Sequence, residues 1–237
     1  MCSVLFVFHC SRMPVQRAVL LACGSFNPIT NMHLRMFELG RDALQATGRF
    51  KVVGGVISPV NDGYKKDGLL AASHRLAMCR ASVANSTWIR TDDWELTNPE
   101  WQRTVSVLRH VRAQVNEGVS AEDQIRVKLL CGADLLESFA TPGLWAVEDL
   151  LEIVGEFGIV CITRMPSDPF KFIYESDLLH AHSHNITIVH EHIRNEISST
   201  HIRRHIRRGL SVRYLIPDAA LDYIQQNNLY LEAKSQL

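Results

Sequence analysis

Six short apolar runs recur along the chain with helix-like stretches between them, and this alternation restricts the fold more than any other feature. The runs are Ala18–Cys23, Val52–Ser58, Trp88–Thr91, Val127–Cys131, Gly158–Thr163 and Ile186–Val189. They are continuous rather than alternately apolar and polar, which marks strands covered on both faces, as in a mostly parallel sheet. Between them, Met32–Ala46 carries Leu34, Phe37 and Leu44 on one broad stripe. Ser73 is expected to cap a helix over His74–Ala84, and Asn98 with Pro99 to open one through about Val115. Ser198 or Ser199 is expected to cap Thr200–Arg208, with Gly209 just past its end, and Pro217 to open a last helix to about Asn227. Strand–helix alternation with right-handed crossovers predicts an α/β fold with a single doubly wound, mostly parallel sheet.

No repeat, low-complexity tract or linker divides the 237 residues. The expected organisation is one domain over 16–232, a disordered N-terminal extension over 1–15 and a short tail over 233–237. Asn116–Gln124 and Pro166–Phe172 read as loops. A chain of this length buries roughly 70–75% of its unfolded surface, enough for a sizeable core. Lys+Arg and Asp+Glu both total 25, so no global field draws the chain to nucleic acid or to an anionic membrane. Any anion site has to be local. No apolar run is long enough to span a bilayer.

The six cysteines form no C-x-x-C pair, and Cys23, Cys131 and Cys161 lie in or beside the apolar runs, so reduced thiols in a reducing compartment are expected. Met1–Arg12 holds the apolar stretch Val4–Phe8 without a basic region before it, which does not make a secretory signal. An organellar presequence and an upstream-start extension, with Met13 as an alternative first residue, both stay open. Nucleus or cytoplasm is the expected location, with the mitochondrion a third candidate. Asn85 and Asn185 stand in glycosylation sequons that meet no such machinery there.

The segment after the first run reads Gly24-Ser25-Phe26-Asn27-Pro28-Ile29-Thr30-Asn31-Met32-His33. In an open parallel sheet, ligands sit beyond the carboxyl ends of the strands. Gly24 leaves no side chain where a phosphate must approach the backbone, and Pro28 stiffens the turn. His33 falls in the first turn of the next helix, where unpaired N–H groups and the dipole favour anions. A donor imidazole there could stabilise charge on a transferring phosphoryl group. An ordinary strand–turn–helix link explains a lone Gly or His, but the combined G-x-F-x-P-x-T-x-x-H spacing is far more specific. No G-x-G-x-x-G follows the first run and no G-x-x-x-x-G-K-[ST] occurs, which disfavours a dinucleotide dehydrogenase and a P-loop enzyme.

A second constellation is Ile197-Ser198-Ser199-Thr200-His201-Ile202-Arg203-Arg204. Hydroxyls before a helix and arginines within its first turns suit an anion at that end. A solvated basic helix, or a nucleic-acid patch, is the competing view, since His205, Arg207 and Arg208 continue the run. The preceding Ser-Ser-Thr favours phosphate. Elsewhere, His180, His182 and His184 alternate, with His190 and His192 beyond. On a strand three imidazoles would share a face, as in some metal sites, yet no cysteine or carboxylate set completes a pattern. We read an adventitious surface cluster and assign no metal site.

Together the two constellations resemble the nicotinamide mononucleotide adenylyltransferase family, within the nucleotidyltransferase superfamily that also holds the pantetheine-phosphate adenylyltransferases. The resemblance runs from about Val19 to Tyr230 and includes Ile57-Ser58-Pro59-Val60, Tyr64-Lys65-Lys66, Lys128-Leu129-Leu130-Cys131-Gly132-Ala133-Asp134 and Tyr214-Leu215-Ile216-Pro217-Asp218. It implies a Rossmann-like nucleotidyltransferase fold, with ATP, Mg²⁺ and nicotinamide or nicotinate mononucleotide as reactants and NAD or deamido-NAD and pyrophosphate as products. By resemblance, Ser25 and Phe26 line the junction of the two nucleotides beside Gly24, and His33 contacts the ATP phosphates. Lys66 holds the mononucleotide phosphate. Trp101 stacks on the pyridine ring, and Thr104, expected one turn later on the same helix, faces the same pocket. Gly132 and Asp134 hold the adenosine ribose, though Asp134 alone could equally cap a helix beginning near Leu135. Leu144 and Trp145 wall the pyridine pocket, Arg164 and Asn195 border the adenine, and Thr200, His201, Ile202 and Arg203 bind phosphates. His33, Lys66 and Arg203 are the expected catalytic groups.

Thr30 stands where the superfamily often has His, as in the eukaryotic branch. The short loop before Lys128 lacks the basic cluster of the nuclear form. The alternatives are another phosphorylated acceptor such as phosphopantetheine, and an added chaperone-like role. A homo-oligomer is left open.

Overall fold

The computed structural model describes residues 14–64, 66–163, 168–193 and 195–231. Most of the expected N-terminal extension, the 233–237 tail, Lys65 and Arg164 lie outside the described residues. All six predicted runs are strands: β1 (Gln16–Gly24), β2 (Phe50–Pro59), β3 (Ile89–Thr91), β4 (Arg126–Gly132), β5 (Ile159–Thr163) and β6 (Ile186–His190). They form one parallel sheet in the order β3-β2-β1-β4-β5-β6. The helices are α1 (Asn31–Ala46), α2 (Ala72–Val83), α3 (Trp94–Thr97), α4 (Thr104–Val115), α5 (Ala133–Glu137), α6 (Val147–Glu152), α7 (Pro169–Glu175), α8 (Asp177–Ala181), α9 (Ser199–Arg207) and α10 (Asp218–Gln226). The fold is therefore the expected α/β, doubly wound and Rossmann-like. Strand order reverses between β1 and β4, which opens a crevice at their carboxyl ends.

Strand side chains sort by parity into two cores. Leu20, Ala22, Ile57, Leu130, Val160 and Ile162 pack on one face with Phe37 and Leu44 of α1, Met78 and Cys79 of α2, Ile202 of α9 and Ile224 of α10. Val19, Leu21, Val56, Leu129, Cys131, Ile159 and Cys161 pack on the other with Val105, Leu108 and Val111 of α4. Both faces are buried, so most strand positions are apolar and the runs read as continuous, with Ser58, Lys128 and Thr163 the buried polar exceptions. Gly55 is where α1 presses closest: an added Cβ would meet the Phe37 ring at 2.8 Å. Among the described residues Cys23, Cys79, Cys131 and Cys161 form no disulfide. No described helix is long and apolar enough to cross a membrane.

Two helix starts and one strand reading differ from expectation. Ser73 caps nothing; α2 begins at Ala72, whose N–H donates to Asp62 Oδ2 at 3.0 Å. The cap comes from ten residues upstream. Asn98 and Pro99 open no helix. Asn98 Nδ2 instead donates to Trp94 O at 2.7 Å, closing the short α3, and α4 waits until Thr104. Trp101 therefore lies in the preceding loop, not one turn ahead of Thr104 on a shared helix. The histidine alternation falls on no strand: His180 is in α8, His182 follows it and His184 sits in a 3-10 turn. No group of three or more His, Cys, Asp or Glu converges among the described residues.

Candidate active site

At the end of β1 the chain turns sharply, and Phe26 takes a left-handed backbone conformation with φ of 42° while its ring is buried. A bulky residue there is strained by ~1–3 kcal/mol and persists only when its surroundings hold it. Asn27 supplies that hold. Its Nδ2 donates to Gly68 O at 2.8 Å, and its Oδ1 accepts from Tyr230 Oη at 2.8 Å and from Leu70 N–H at 3.4 Å. Its carbonyl accepts from Arg203 Nη1 at 2.8 Å, and the next carbonyl, Pro28 O, accepts from Ser199 Oγ at 2.7 Å. One turn thus gathers the 66–70 loop, the start of α9 and the end of α10's following segment. The two motifs, remote in sequence, become one site.

His33 occupies the third position of α1, and Thr30 is the N-cap in a reciprocal capping box. Thr30 N–H donates to His33 Nδ1 at 2.9 Å. A backbone N–H can only donate, so Nδ1 is the bare, accepting nitrogen and the ring proton sits on Nε2. The cap therefore sets the tautomer as well as the ring's direction. Phe26 packs edge-on against the imidazole, with ring centroids 5.1 Å apart. At α9, Ser198 Oγ accepts from His201 N–H at 3.3 Å. Thr200 and His201 are exposed, with Arg203 half-buried one turn on. Ile202 is the exception among the predicted phosphate ligands: its side chain is 1% exposed and belongs to the core, and its N–H donates to Ser198 O. Only its backbone stands near the site.

Beneath the turn, Arg75 is fully buried. Its guanidinium donates to Leu70 O at 2.8 Å, Ser25 O at 3.1 Å and Val60 O at 2.6 Å, and pairs with Asp62 Oδ1 at 2.8 Å. It ties the β1 turn to the loop after β2 that carries Tyr64 and Lys66. Lys66 is exposed and begins a turn whose Leu69 N–H donates back to Lys66 O. Asn27, Arg75 and Asp62 were not singled out from sequence; the buried arginine gives no sign of itself inside an ordinary helical pattern.

A further unforeseen group is Glu95, 2% exposed. It accepts from Ser58 Oγ at 3.2 Å and from Asn61 N–H at 3.4 Å, while Asn61 Nδ2 donates to Glu95 O and Asn98 O. Asn61 Oδ1 also accepts from Gly63 N–H at 2.7 Å. This network fixes Gly63 against Trp101 and sets the Tyr64 and Trp101 rings 6.4 Å apart, both half-exposed, as a two-sided aromatic platform. Burial raises the Glu95 carboxyl from 4.5 to about 7, against the lowering hydrogen bonds from Asn61 and Ser58. Between those values the folded chain binds the proton more tightly than the unfolded chain. Stability therefore falls as pH rises through that window, by on the order of 3 kcal/mol, and is level beyond it. Urea midpoints at pH 5 and pH 7.5 should show this fall, and Glu95→Gln should flatten it. An unchanged slope in the variant would assign the fall to another group.

Across the crevice, Gly132 ends β4 and is itself the N-cap of α5, so Asp134 is not the cap but lies in the first turn, exposed. A Cβ on Gly132 would come within 2.6 Å of Asp134 Oδ1. Glycine is what lets that carboxylate lie over the strand end. Trp145 is half-buried, its Nε1 donating to Ser138 Oγ at 3.1 Å and its ring set edge-on to Phe139, whereas Leu144 is exposed. Asn195 Oδ1 accepts from Ile197 N–H at 3.1 Å, which orders the approach to α9.

Comparison with known proteins gives a match over residues 21–205 to the family described as cytidylyltransferase-like. The chain is 47% identical to the Bos taurus protein named nicotinamide/nicotinic acid mononucleotide adenylyltransferase 1, covering 90% of this chain and 88% of that one. It is 49% identical to the Arabidopsis thaliana nicotinamide/nicotinic acid mononucleotide adenylyltransferase, covering 90% of each. To the Drosophila melanogaster nicotinamide-nucleotide adenylyltransferase it is 43% identical, over 90% of this chain and 61% of that longer protein.

Proposed function

This chain belongs to the cytidylyltransferase-like family, among its nicotinamide/nicotinic acid mononucleotide adenylyltransferases, and we propose that the Gly24–His33 turn together with the start of α9 is where it binds ATP. The reaction joins the mononucleotide to the adenylyl part of ATP, giving NAD or deamido-NAD and pyrophosphate. The mononucleotide phosphate attacks the α-phosphorus in line, and pyrophosphate leaves. No side chain needs to become bonded to substrate, so the protein contributes position and charge.

The observation that carries the reading is the reciprocal Thr30–His33 cap beside the Arg203–Asn27 bond. His33 presents an Nε2–H donor, and Arg203 a fixed cation, to phosphate oxygens that gain charge as the bond to pyrophosphate breaks. Gly24, Ser25 and Phe26 lie at the junction of the two nucleotides. Thr200, His201 and the Ile202 backbone meet the ATP phosphates, and Gly132, Asp134 and Asn195 the adenosine. Lys66 takes the mononucleotide phosphate, with Trp101, Thr104, Leu144 and Trp145 around the pyridine. Mg²⁺ would enter as part of the ATP complex, beside phosphates met by His33, Thr200 and Arg203. Once bound it neutralises phosphate charge. The work is done inside the cell, where ATP is available.

The direct test is pyrophosphate release from ATP and Mg²⁺ with nicotinamide mononucleotide or phosphopantetheine as acceptor. Release only with the mononucleotide, matched by NAD, is expected; release only with phosphopantetheine would keep the ATP site and overturn the acceptor pocket. Trp101→Ala should raise KM for the mononucleotide roughly tenfold, as loss of an aromatic stack does, with KM for ATP changing far less. An unchanged mononucleotide KM would remove Trp101 from the pocket.

A further inference from the structure

An ion pair joins the two segments on either side of the pyridine pocket. Arg103 lies between Trp101 and Thr104 and is the N-cap of α4. Asp149 lies in the first turn of α6, shortly after Leu144 and Trp145. Arg103 Nη1 and Asp149 Oδ2 are 3.0 Å apart; the aspartate side chain is 8% exposed and the arginine side chain 54%. That asymmetry has a chemical meaning. A carboxylate removed from water needs its partner, so Asp149 holds the guanidinium in place. A guanidinium carries five N–H donors in a planar fork, more than one carboxylate can use, and its exposed side can take a second anion.

The two mononucleotides differ at one place, a neutral carboxamide in one and a carboxylate in the other. Resting on the assignment of Trp101, Thr104, Leu144 and Trp145 to the pyridine pocket, we propose that Arg103 determines the balance between them. Its guanidinium pairs with the opposite charge of the nicotinate carboxylate and makes a weaker hydrogen bond to the neutral nicotinamide carbonyl. Asp149 orients Arg103 and tempers it, because its own negative charge opposes a second carboxylate nearby. The site then accepts both acceptors, with a lean toward nicotinate set by the strength of this pair.

The experiment compares kcat/KM for nicotinate and nicotinamide mononucleotides at saturating ATP, in the parent chain and in Arg103→Gln, Arg103→Lys and Asp149→Asn. The nicotinate-to-nicotinamide ratio should fall about tenfold in Arg103→Gln, roughly the margin between a carboxylate and a neutral carbonyl as acceptor of a cationic donor. It should stay within about threefold of the parent in Arg103→Lys, which keeps the charge. In Asp149→Asn it should rise. General damage to the fold or to the ATP site lowers both constants together and leaves the ratio alone. An unchanged ratio in Arg103→Gln overturns the proposal, and so does a ratio that moves the same way in Arg103→Gln and Asp149→Asn. Should Asp149→Asn fail to fold, the exposed Arg103 variants decide the matter alone. A parent chain that adenylates neither mononucleotide overturns the pocket assignment itself, and this inference with it.

Discussion

His33→Ala is expected to lower turnover at least ~10²-fold at saturating substrates, as loss of one preorganised donor to a charge-developing oxygen typically does. The reason lies in how the ring is held. Thr30 N–H occupies Nδ1 at 2.9 Å, so the imidazole cannot rotate or exchange tautomers without losing that bond. The donor is in position before substrate arrives, and the enzyme gives up little order as charge builds. Loss of the side chain also breaks half of the α1 capping box, which costs about 1 kcal/mol of stability. That loss is too small to unfold a typical domain. Circular dichroism and a urea midpoint on the same sample separate the two effects. Near-normal turnover in a folded His33→Ala protein would sink the role given to His33.

The largest stability effect is expected from Arg75→Met. Methionine fills similar volume but leaves Leu70 O, Ser25 O and Val60 O without their donor and Asp62 without its cation. Asp62, 56% exposed, can fall back on water, but buried carbonyls left without a donor cost about 1–3 kcal/mol each, so a loss on the order of 3 kcal/mol or more is expected. The damage should spread to both substrates, because the guanidinium joins the turn after β1 to the loop after β2. Denaturant midpoints measure the first consequence, and a rise in KM for both ATP and mononucleotide the second. A loss under about 1 kcal/mol would mean that these carbonyls find water or other donors readily.

The layered fold was legible because burial on both sheet faces left a plain mark: β1 places Leu20 in one core and Leu21 in the other, so neither could be polar. The turn after β1 and the start of α9 were legible because each is local, with residues that are consecutive. What sequence did not reveal is long-range. The cap of α2 is Asp62, outside the local window in which capping signals are read, so Ser73 took its place in the expectation. Asn98–Pro99 has the composition of a helix start, but Asn98 spends its amide on Trp94 O and its carbonyl on Asn61. Trp101 was found through resemblance, but its support from Glu95, Asn61 and Gly63 depends on contacts between segments more than thirty residues apart.

The reach of Asn27 bears on how the protein comes into being during translation. Its side chain is bonded by Tyr230, 203 residues further along, and its carbonyl by Arg203. Synthesis releases the amino end first, and early segments begin to fold before later ones exist. β1 and α1 are therefore made long before the residues that lock the turn between them. The strained Phe26 conformation has no complete set of restraints until Tyr230 has left the ribosome. Nascent chains should carry an unfinished turn, and, if that turn binds ATP as proposed, nucleotide capture becomes one of the last capacities the molecule acquires.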